Sequence, residues 1–150
     1  MHSITTQVLG NVQLAALRGM LAMFGEVFED IDTYTGSQPD DRYLSQLLSR
    51  DDFIAIAAMS GGQVIGGLAA YVLHKFEQQR SEIYIYDLAV RLEHRRQGVA
   101  TALICALRGL ARERGAYVIL VQADKGDAPA IALYNKLGVQ EDVLHFDINP

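Results

Sequence analysis

The stretch from Ser81 to Gln122 constrains the fold more than any other. It opens with ten residues rich in Ile, Tyr and Val, Ser81 to Val90, the composition of a central strand. A polar, basic turn from Arg91 to Gly98 follows. Val99 to Arg114 then places Ala102, Leu103, Ala106, Leu107 and Leu110 on one helical face. Gly115 ends that helix, because glycine adopts the left-handed C-terminal conformation at little cost. Tyr117 to Gln122 is a second apolar strand. A strand, a helix and a strand in this order predict a parallel pair with a right-handed crossover.

The rest of the chain builds around that unit. Residues 11–29 carry Val12, Leu14, Leu17, Met20, Leu21, Phe24, Val27 and Phe28 at the spacing of one amphipathic helix. Thr33 to Pro39 reads as a loop turning at Gly36 and Ser37. Asp40 is placed to cap a short helix containing Tyr43, Leu44, Leu47 and Leu48. The apolar runs Phe53 to Met59 and Val64 to Leu73 flank Ser60-Gly61-Gly62, which predicts a hairpin. His74 to Arg80 is a polar connection. Asp127 to Leu137 reads as a helix with Asp127 as N-cap, Pro129 in its first turn and Gly138 beyond its end. Val143 to Ile148 is expected as a final strand. The reading is a mixed α/β (α+β) fold, one domain over residues 1–150.

Composition narrows the function classes. Half of the 150 residues are hydrophobic and three are proline, so a packed core is expected rather than disorder. No apolar run approaches the roughly 20 residues of a membrane span. Met1 to Gly10 lacks the basic and apolar regions of a secretory signal. The one cysteine, Cys105, excludes an intramolecular disulfide framework and fits a reducing cytoplasm. Its place between Ile104 and Ala106 predicts a buried, small apolar role. The four histidines show no metal-ligand spacing, so no metal is expected. The net charge of −5 argues against a nucleic-acid partner.

The charge is unevenly spread. Eight acids (Glu26, Glu29, Asp30, Asp32, Asp40, Asp41, Asp51 and Asp52) face only Arg42 and Arg50 within their stretch. From Arg91 to Arg114 six arginines meet only Glu93 and Glu113. One region suits a cation and the other an anion. Within the second lies Arg95-Arg96-Gln97-Gly98-Val99-Ala100, between a strand and a helix. Unpaired backbone N–H groups at a helix start bind phosphate, and the helix dipole assists. Gly98 allows close backbone approach, Ala100 keeps the helix start uncrowded, and the two arginines add charge. Asp87 is a second anomaly, an acid near the end of an apolar strand that disfavours it. A regular strand would turn Glu82 and Asp87 to opposite faces; a bulge between them would change that.

The pattern Arg95-x-x-Gly98-x-Ala100 resembles the pyrophosphate loop of the GNAT superfamily of N-acetyltransferases. Ala130-Ile131-Ala132-Leu133-Tyr134-Asn135-Lys136-Leu137-Gly138 resembles that family's A-x-x-L-Y-x-K-x-G segment. The strings from Arg80 to Val90, Glu93 to Gly98, Gly115 to Ile119, Val121 to Asp124 and His145 to Ile148 are similar to the type I aminoglycoside 3-N-acetyltransferases, the gentamicin-modifying group. Asp127 stands where the superfamily often has Asn, and Val139 where it often has Phe.

The resemblance implies a central mixed sheet with splayed strands, and direct transfer of acetyl from acetyl-CoA to an amine. The cofactor would lie along Leu88, Ala89 and Val90 and on Arg95, Arg96, Gln97, Gly98, Val99, Ala100 and Thr101. Tyr134 would act as the acid and Asp87 as the base, with Glu82 as alternative base. A polycationic aminoglycoside would meet Tyr86, Asp87, Asp124, Asp147, Glu29 and Asp30. A polyamine or protein amine is an alternative acceptor, and a non-catalytic CoA-binding module is an alternative to transfer. Homodimers are common in that family, and the sequence is silent on assembly.

Overall fold

The computed structural model describes residues 2–150. Its strands are β1 (Ile4–Val8), β2 (Phe53–Ser60), β3 (Gln63–His74), β4 (Ser81–Val90) and β5 (Ala116–Val121). Its helices are α1 (Leu14–Val27), α2 (Ile31–Thr35), α3 (Asp41–Ser49), α4 (Val99–Arg114) and α5 (Ala128–Leu137). The strands form one sheet in the order β1-β2-β3-β4-β5. The first three pairings are antiparallel, and β4 with β5 is parallel, as the strand–helix–strand order predicts.

Each face of the sheet carries its own core. On one side α4 buries Val99, Leu103, Ile104, Leu107 and Ala111 against Ile54, Ile56, Leu68, Ile83 and Ile85. On the other, α1 and α3 bury Leu17, Met20, Met23, Phe24, Leu44 and Leu48 against Phe53, Ala55 and Ala57. The strand residues alternate between these cores, as the two-residue period of a strand requires. β2 reads as a continuous apolar run because both of its faces are covered. Gly61 and Gly62 turn the β2–β3 hairpin with φ of 57° and 78°, a two-residue turn that needs positive φ at both positions.

Several expectations are corrected. A strand, β1, precedes α1; its Thr5, Thr6 and Gln7 are exposed, and so polar an edge gives no alternating apolar signal. The first helix runs from Leu14 to Val27 rather than over residues 11–29. The expected loop from Thr33 begins inside α2, which Asp30 caps by accepting from the Thr33 N–H at 3.3 Å. Residues 143–148 form no strand and are exposed. Cys105 is exposed rather than buried, because the buried stripe of α4 passes through Ile104 and Leu107 on the other side of the helix.

Two charged clamps fix α1. Arg18 donates to Gln38 Oε1 at 2.7 Å, the Pro39 carbonyl at 3.0 Å and Asp41 Oδ1 at 2.6 Å, tying α1 to the start of α3. Arg91 donates to the Val64 carbonyl at 3.0 Å and to Glu26, tying the end of α1 to the end of β4.

Leu103 is fully buried at the centre of the α4-side core. Leu103→Ala is expected to lower stability by about 2–5 kcal/mol through lost burial and the cavity left behind. Urea unfolding reads this as a lower midpoint at unchanged m-value.

Candidate active site

The site begins where β4 loses one neighbour. β4 pairs with β3 as far as Val90 opposite Gly66. Its pairing with β5 stops at Ile85 opposite Val121. Tyr86 to Val90 therefore present an edge with no strand partner on the β5 side. At the same point Ala69 stands opposite Asp87 and Ala70 opposite Ile85, so Tyr86 is an extra, bulged residue.

The bulge reverses the facing of everything after it. Ile83 and Ile85 point into the α4-side core, as does Leu88. Asp87 instead turns toward the α1 side, together with Ala89. There the Tyr34 hydroxyl donates to Asp87 Oδ2 at 3.0 Å. Burial pushes the Asp87 carboxyl above the ordinary carboxylate range, and the Tyr34 bond offsets part of that rise. Tyr34 is held rigidly, with Phe24 and Phe28 each 5.8 Å from its ring and the capped start of α2 fixing its backbone. Burial, then the charge and hydrogen bond of Asp87, push its phenol well up, so it stays a donor.

Beside Asp87 lies a row of rings. Phe53, Tyr71, Tyr86 and Tyr84 follow one another at centroid separations of 5.3, 5.9 and 6.2 Å. Tyr86, carried on the bulge, is 65% exposed. The Tyr84 hydroxyl donates to Gln122 Oε1 at 2.9 Å, bridging β4 to the residue after β5 where the strands part.

On the other side of the opening lies the start of α4. A short 3-10 turn, Leu92–His94, leads to Arg95, whose Nε donates to the Val90 carbonyl at 3.1 Å. Arg96 and Gly98 have φ of 60° and 77°. A left-handed non-glycine residue costs about 1–2 kcal/mol, a strain typical of ligand-binding turns. Gly98 is the N-cap of α4 and no side chain caps that end. The N–H groups of Val99, Ala100 and Thr101 thus lack an internal partner, and a Cβ placed on Gly98 would meet nothing within 4 Å. This open nest of amides, with Arg95 and Arg96 alongside, has the geometry and charge for a pyrophosphate.

Tyr134 projects from α5 and packs, half-buried, against the core that holds Leu88 and Val99. Burial, aided by the charge of Asp127, pushes its phenol up to about 12. Asp87 and Tyr134 therefore belong to opposite sides of β4, and the parting from β5 opens between those sides.

The other singled-out residues are dispersed. Glu82 shares a face with Asp87 but sits in the paired half of β4. Lys75 Nζ lies 3.2 Å from it and the Tyr117 hydroxyl donates to it. These contacts hold its carboxyl below the usual range. Asp30 caps α2 close enough for its charge to act on Tyr34, and Glu29 beside it has φ of 54°. Asp124 is exposed after β5. Asp147 is exposed near the C-terminus, 3.0 Å from His145 Nε2. Much of the acidic stretch is occupied within the protein: Glu26 by Arg91, Asp41 by Arg18, Asp52 by Arg50, and Asp30 and Asp40 by helix starts.

Tyr34 and the ring row of Tyr71 and Tyr84 were not legible as site residues. Tyr34 meets Asp87 across 53 positions of sequence, and no local pattern records such a contact.

Comparison with known proteins agrees with this geometry. The model of the Acetyltransferase (GNAT) family matches residues 21–139. An aminoglycoside acetyltransferase from an uncultured soil metagenomic sample superposes with a TM-score of 0.97 at 57% identity, covering 99% of each chain. Another aminoglycoside acetyltransferase from an uncultured soil metagenomic sample, solved with sisomicin, gives 0.89 at 31% identity over 98% of this chain and 96% of that one. N-acetyltransferase family 8 member 2 of Rattus norvegicus is 33% identical over 89 residues, 59% of this chain. The chain spans 39% of that relative's length.

The raised carboxyl of Asp87 has a consequence for stability. The folded state holds this proton to higher pH than the unfolded chain, whose aspartate titrates at about 3.9. Stability contributed at this position is therefore lost as pH rises through that interval. Asp87→Asn keeps an acceptor for Tyr34 and removes the ionisation. Its melting temperature relative to the parent is expected to rise between pH 4 and 7, and thermal scans across that range check the sign.

Proposed function

The chain belongs to the GNAT acetyltransferase family, and from that premise we propose that it transfers acetyl from acetyl-CoA to the 3-amino group of a gentamicin-type aminoglycoside in the cytoplasm. The observation that carries the reading is Asp87, a half-buried acid with no cationic partner among the described residues, set just after the bulge at the mouth of the parted strands. Likeness to aminoglycoside acetyltransferases along almost the whole chain supports the acceptor class.

The residues present fit acetyl-CoA. The uncapped start of α4, from Gly98 to Thr101, would take the pyrophosphate, with Arg96 and Gln97 at its rim. The edge from Leu88 to Val90 would pair with the pantetheine arm as an added strand. Acetyl-CoA, when bound, supplies the activated acyl group.

The protein's own groups then divide the proton work. Asp87 accepts the proton that the attacking ammonium must lose, and its raised pKa makes it a better base than an ordinary carboxylate. Tyr34 holds that carboxylate in one orientation through its hydroxyl. Tyr134 keeps its proton at neutral pH and holds it for the leaving thiolate. Backbone N–H groups near Leu88, on the edge that β5 leaves open, would stabilise the thioester oxygen. Tyr86 and Tyr71 would offer rings to a sugar, and Asp30, whose charge reaches Tyr34, and its neighbour Glu29 would meet further ammonium groups of the acceptor. Glu82 is not given the base role, because Lys75 and Tyr117 already hold it as a low-pKa carboxylate.

Thiol release with acetyl-CoA is expected to be far faster with gentamicin than with spermidine or a lysine peptide, and NMR of the product should place the acetyl on N3. Spermidine as the better substrate, or acetyl on another nitrogen, would overturn the acceptor assignment. Tyr134→Phe is expected to lower kcat by about 10²-fold with little change in the KM for acetyl-CoA. Asp87→Asn should lose a similar factor at neutral pH. The ratio of parent to variant should be greatest between the raised pKa of Asp87 and the pKa of the amine, where the carboxylate is ionised and the amine still charged, and should fall on either side. A pH-independent ratio would leave Asp87 only a binding role.

A further inference from the structure

The core on the α1 side takes in Phe53 but not the rings next to it. Tyr71 and Tyr86 are 39% and 65% exposed, and Tyr84 between them on the sheet is half-buried. A single exposed tyrosine needs no explanation, whereas three that touch one another mark a surface built to meet something.

Their arrangement is more specific than a patch. The plane of Tyr86 meets that of Tyr71 at 87° and that of Tyr84 at 69°, with centroids 5.9 and 6.2 Å apart. Tyr71 and Tyr84 are cross-strand partners on β3 and β4, so the three rings make a triangle rather than a line. One small cation at its centre would lie within about 6 Å of each ring, the range of a cation–π contact. Two of the three walls are fixed in advance. Phe53 packs 5.3 Å from Tyr71, and the Tyr84 hydroxyl is bonded to Gln122 Oε1 at 2.9 Å. A site already in its bound shape loses less entropy when it is filled.

The charges around the triangle select a cation. The face of an aromatic ring is negative, and Asp87 follows Tyr86 directly in the chain. Burial, then neighbouring phenols, then the charge of Asp87 push the Tyr71 phenol above its ordinary value; Tyr84 shows the same order of causes. Both rings therefore stay neutral at physiological pH. Among the described residues no arginine or lysine stands over Tyr71, Tyr84 or Tyr86. The contrast is Tyr117, also at the β4–β5 side of the sheet, whose ring already carries the Arg80 guanidinium 3.9 Å from its centroid.

We infer that Tyr71, Tyr84 and Tyr86 form an aromatic cage for an alkylammonium group, and that in the proposed reaction the cage holds a second ammonium of the acceptor while Asp87 receives the reacting one. An ammonium carrying alkyl groups suits such a cage best, because its methyl or methylene surface packs on the rings while its charge meets their faces. A polycation would thus be held at two adjoining points, one carboxylate and one ring cluster. Binding itself does not depend on the acetyl-transfer reading; only the use of the cage for the acceptor rests on it.

Choline and its neutral isostere 3,3-dimethylbutan-1-ol separate charge from shape. Neither has a nitrogen that can be acetylated, so titrations of the full chain without acetyl-CoA test the cage apart from any transfer. Choline at millimolar concentration is expected to bind and to shift the ring signals of Tyr71, Tyr84 and Tyr86 in NMR, and the isostere to bind at least about fivefold more weakly. Tyr86→Leu should weaken choline by at least about fivefold, while Tyr86→Phe, which keeps the ring face, should stay within about twofold of the parent. Tyr117→Leu should leave choline affinity unchanged, since that ring is already occupied. Equal binding of choline and the isostere would show an apolar surface with no preference for charge and would overturn the cage. So would no choline binding, or a choline affinity lost in Asp87→Asn yet unchanged in Tyr86→Leu, which would place the cation on the carboxylate. If Tyr86→Leu fails to fold, the comparison of the two probes on the parent, read at the three ring signals, decides the matter.

Discussion

The structure depends on the loss of pairing between β4 and β5 beyond Ile85. Up to that residue β4 is an ordinary central strand, satisfied on both edges. Beyond it, one edge is open for five residues while the other stays bound to β3. A β-bulge bends its strand and increases local twist. The bulge at Tyr86 therefore directs β4 away from β5 and in the same step turns Asp87 to the opposite face. The Tyr84–Gln122 hydrogen bond lies at the last point where the strands remain together. Gly66, beyond it, cannot carry a side chain without meeting the Ala89 carbonyl at 3.1 Å and Val99 at 3.2 Å. That close approach brings the start of α4 down to the end of β4. Bulge, opening and helix start thus form one construction.

Electrostatics adjusts this framework rather than creating it. Exposed ion pairs contribute on average about 0–1 kcal/mol each. Their value here is positional. The Arg91–Glu26 pair joins the end of α1 to the strand that carries Asp87, while Arg18 fastens α1 to the loop after α2. Tyr34, between these attachments, is brought to Asp87 with little freedom to leave it. Five of the eight acids from Glu26 to Asp52 are committed to such internal duties: Glu26, Asp30, Asp40, Asp41 and Asp52.

How much of this the sequence disclosed follows from the range of each signal. The strand–helix–strand unit was legible because periodicity and the two glycine ends, Gly98 and Gly115, are local. Both glycines are left-handed, as their positions demand. The open, uncapped turn before α4 was legible for the same reason. The facing of Asp87 was legible only as a condition, because a bulge is set by the register of two strands and not by one. Tyr34 was illegible, since its hydrogen bond spans 53 positions. β1 escaped because its side chains are polar and exposed. The final strand was expected from the alternation of residues 143–148, but those residues pair with no strand and stay exposed. Cys105 was misplaced by one step around α4, where neighbouring residues differ by about 100° in direction.

Under the proposed acetyl transfer, Asp87 would also make the site suit a cationic acceptor better than a neutral one. Among the described residues no arginine or lysine compensates it; burial raises its pKa and a phenol hydroxyl alone stabilises its charge. An ammonium entering from solvent would provide the missing counter-charge. It would lower the carboxyl's pKa on arrival, so that the acid which binds the cation is ionised when binding occurs. As the amine became an amide its affinity for the proton would collapse, and the adjacent carboxylate, still poorly solvated, would become the favoured acceptor. One unpaired acid can thus attract the amine and relieve it of its proton, provided no resident cation quenches it first. The arginines of the α4 turn satisfy that condition by their placement: Arg95 is tied to the Val90 carbonyl on the cofactor side of the opening. Arg91 is spent on Glu26.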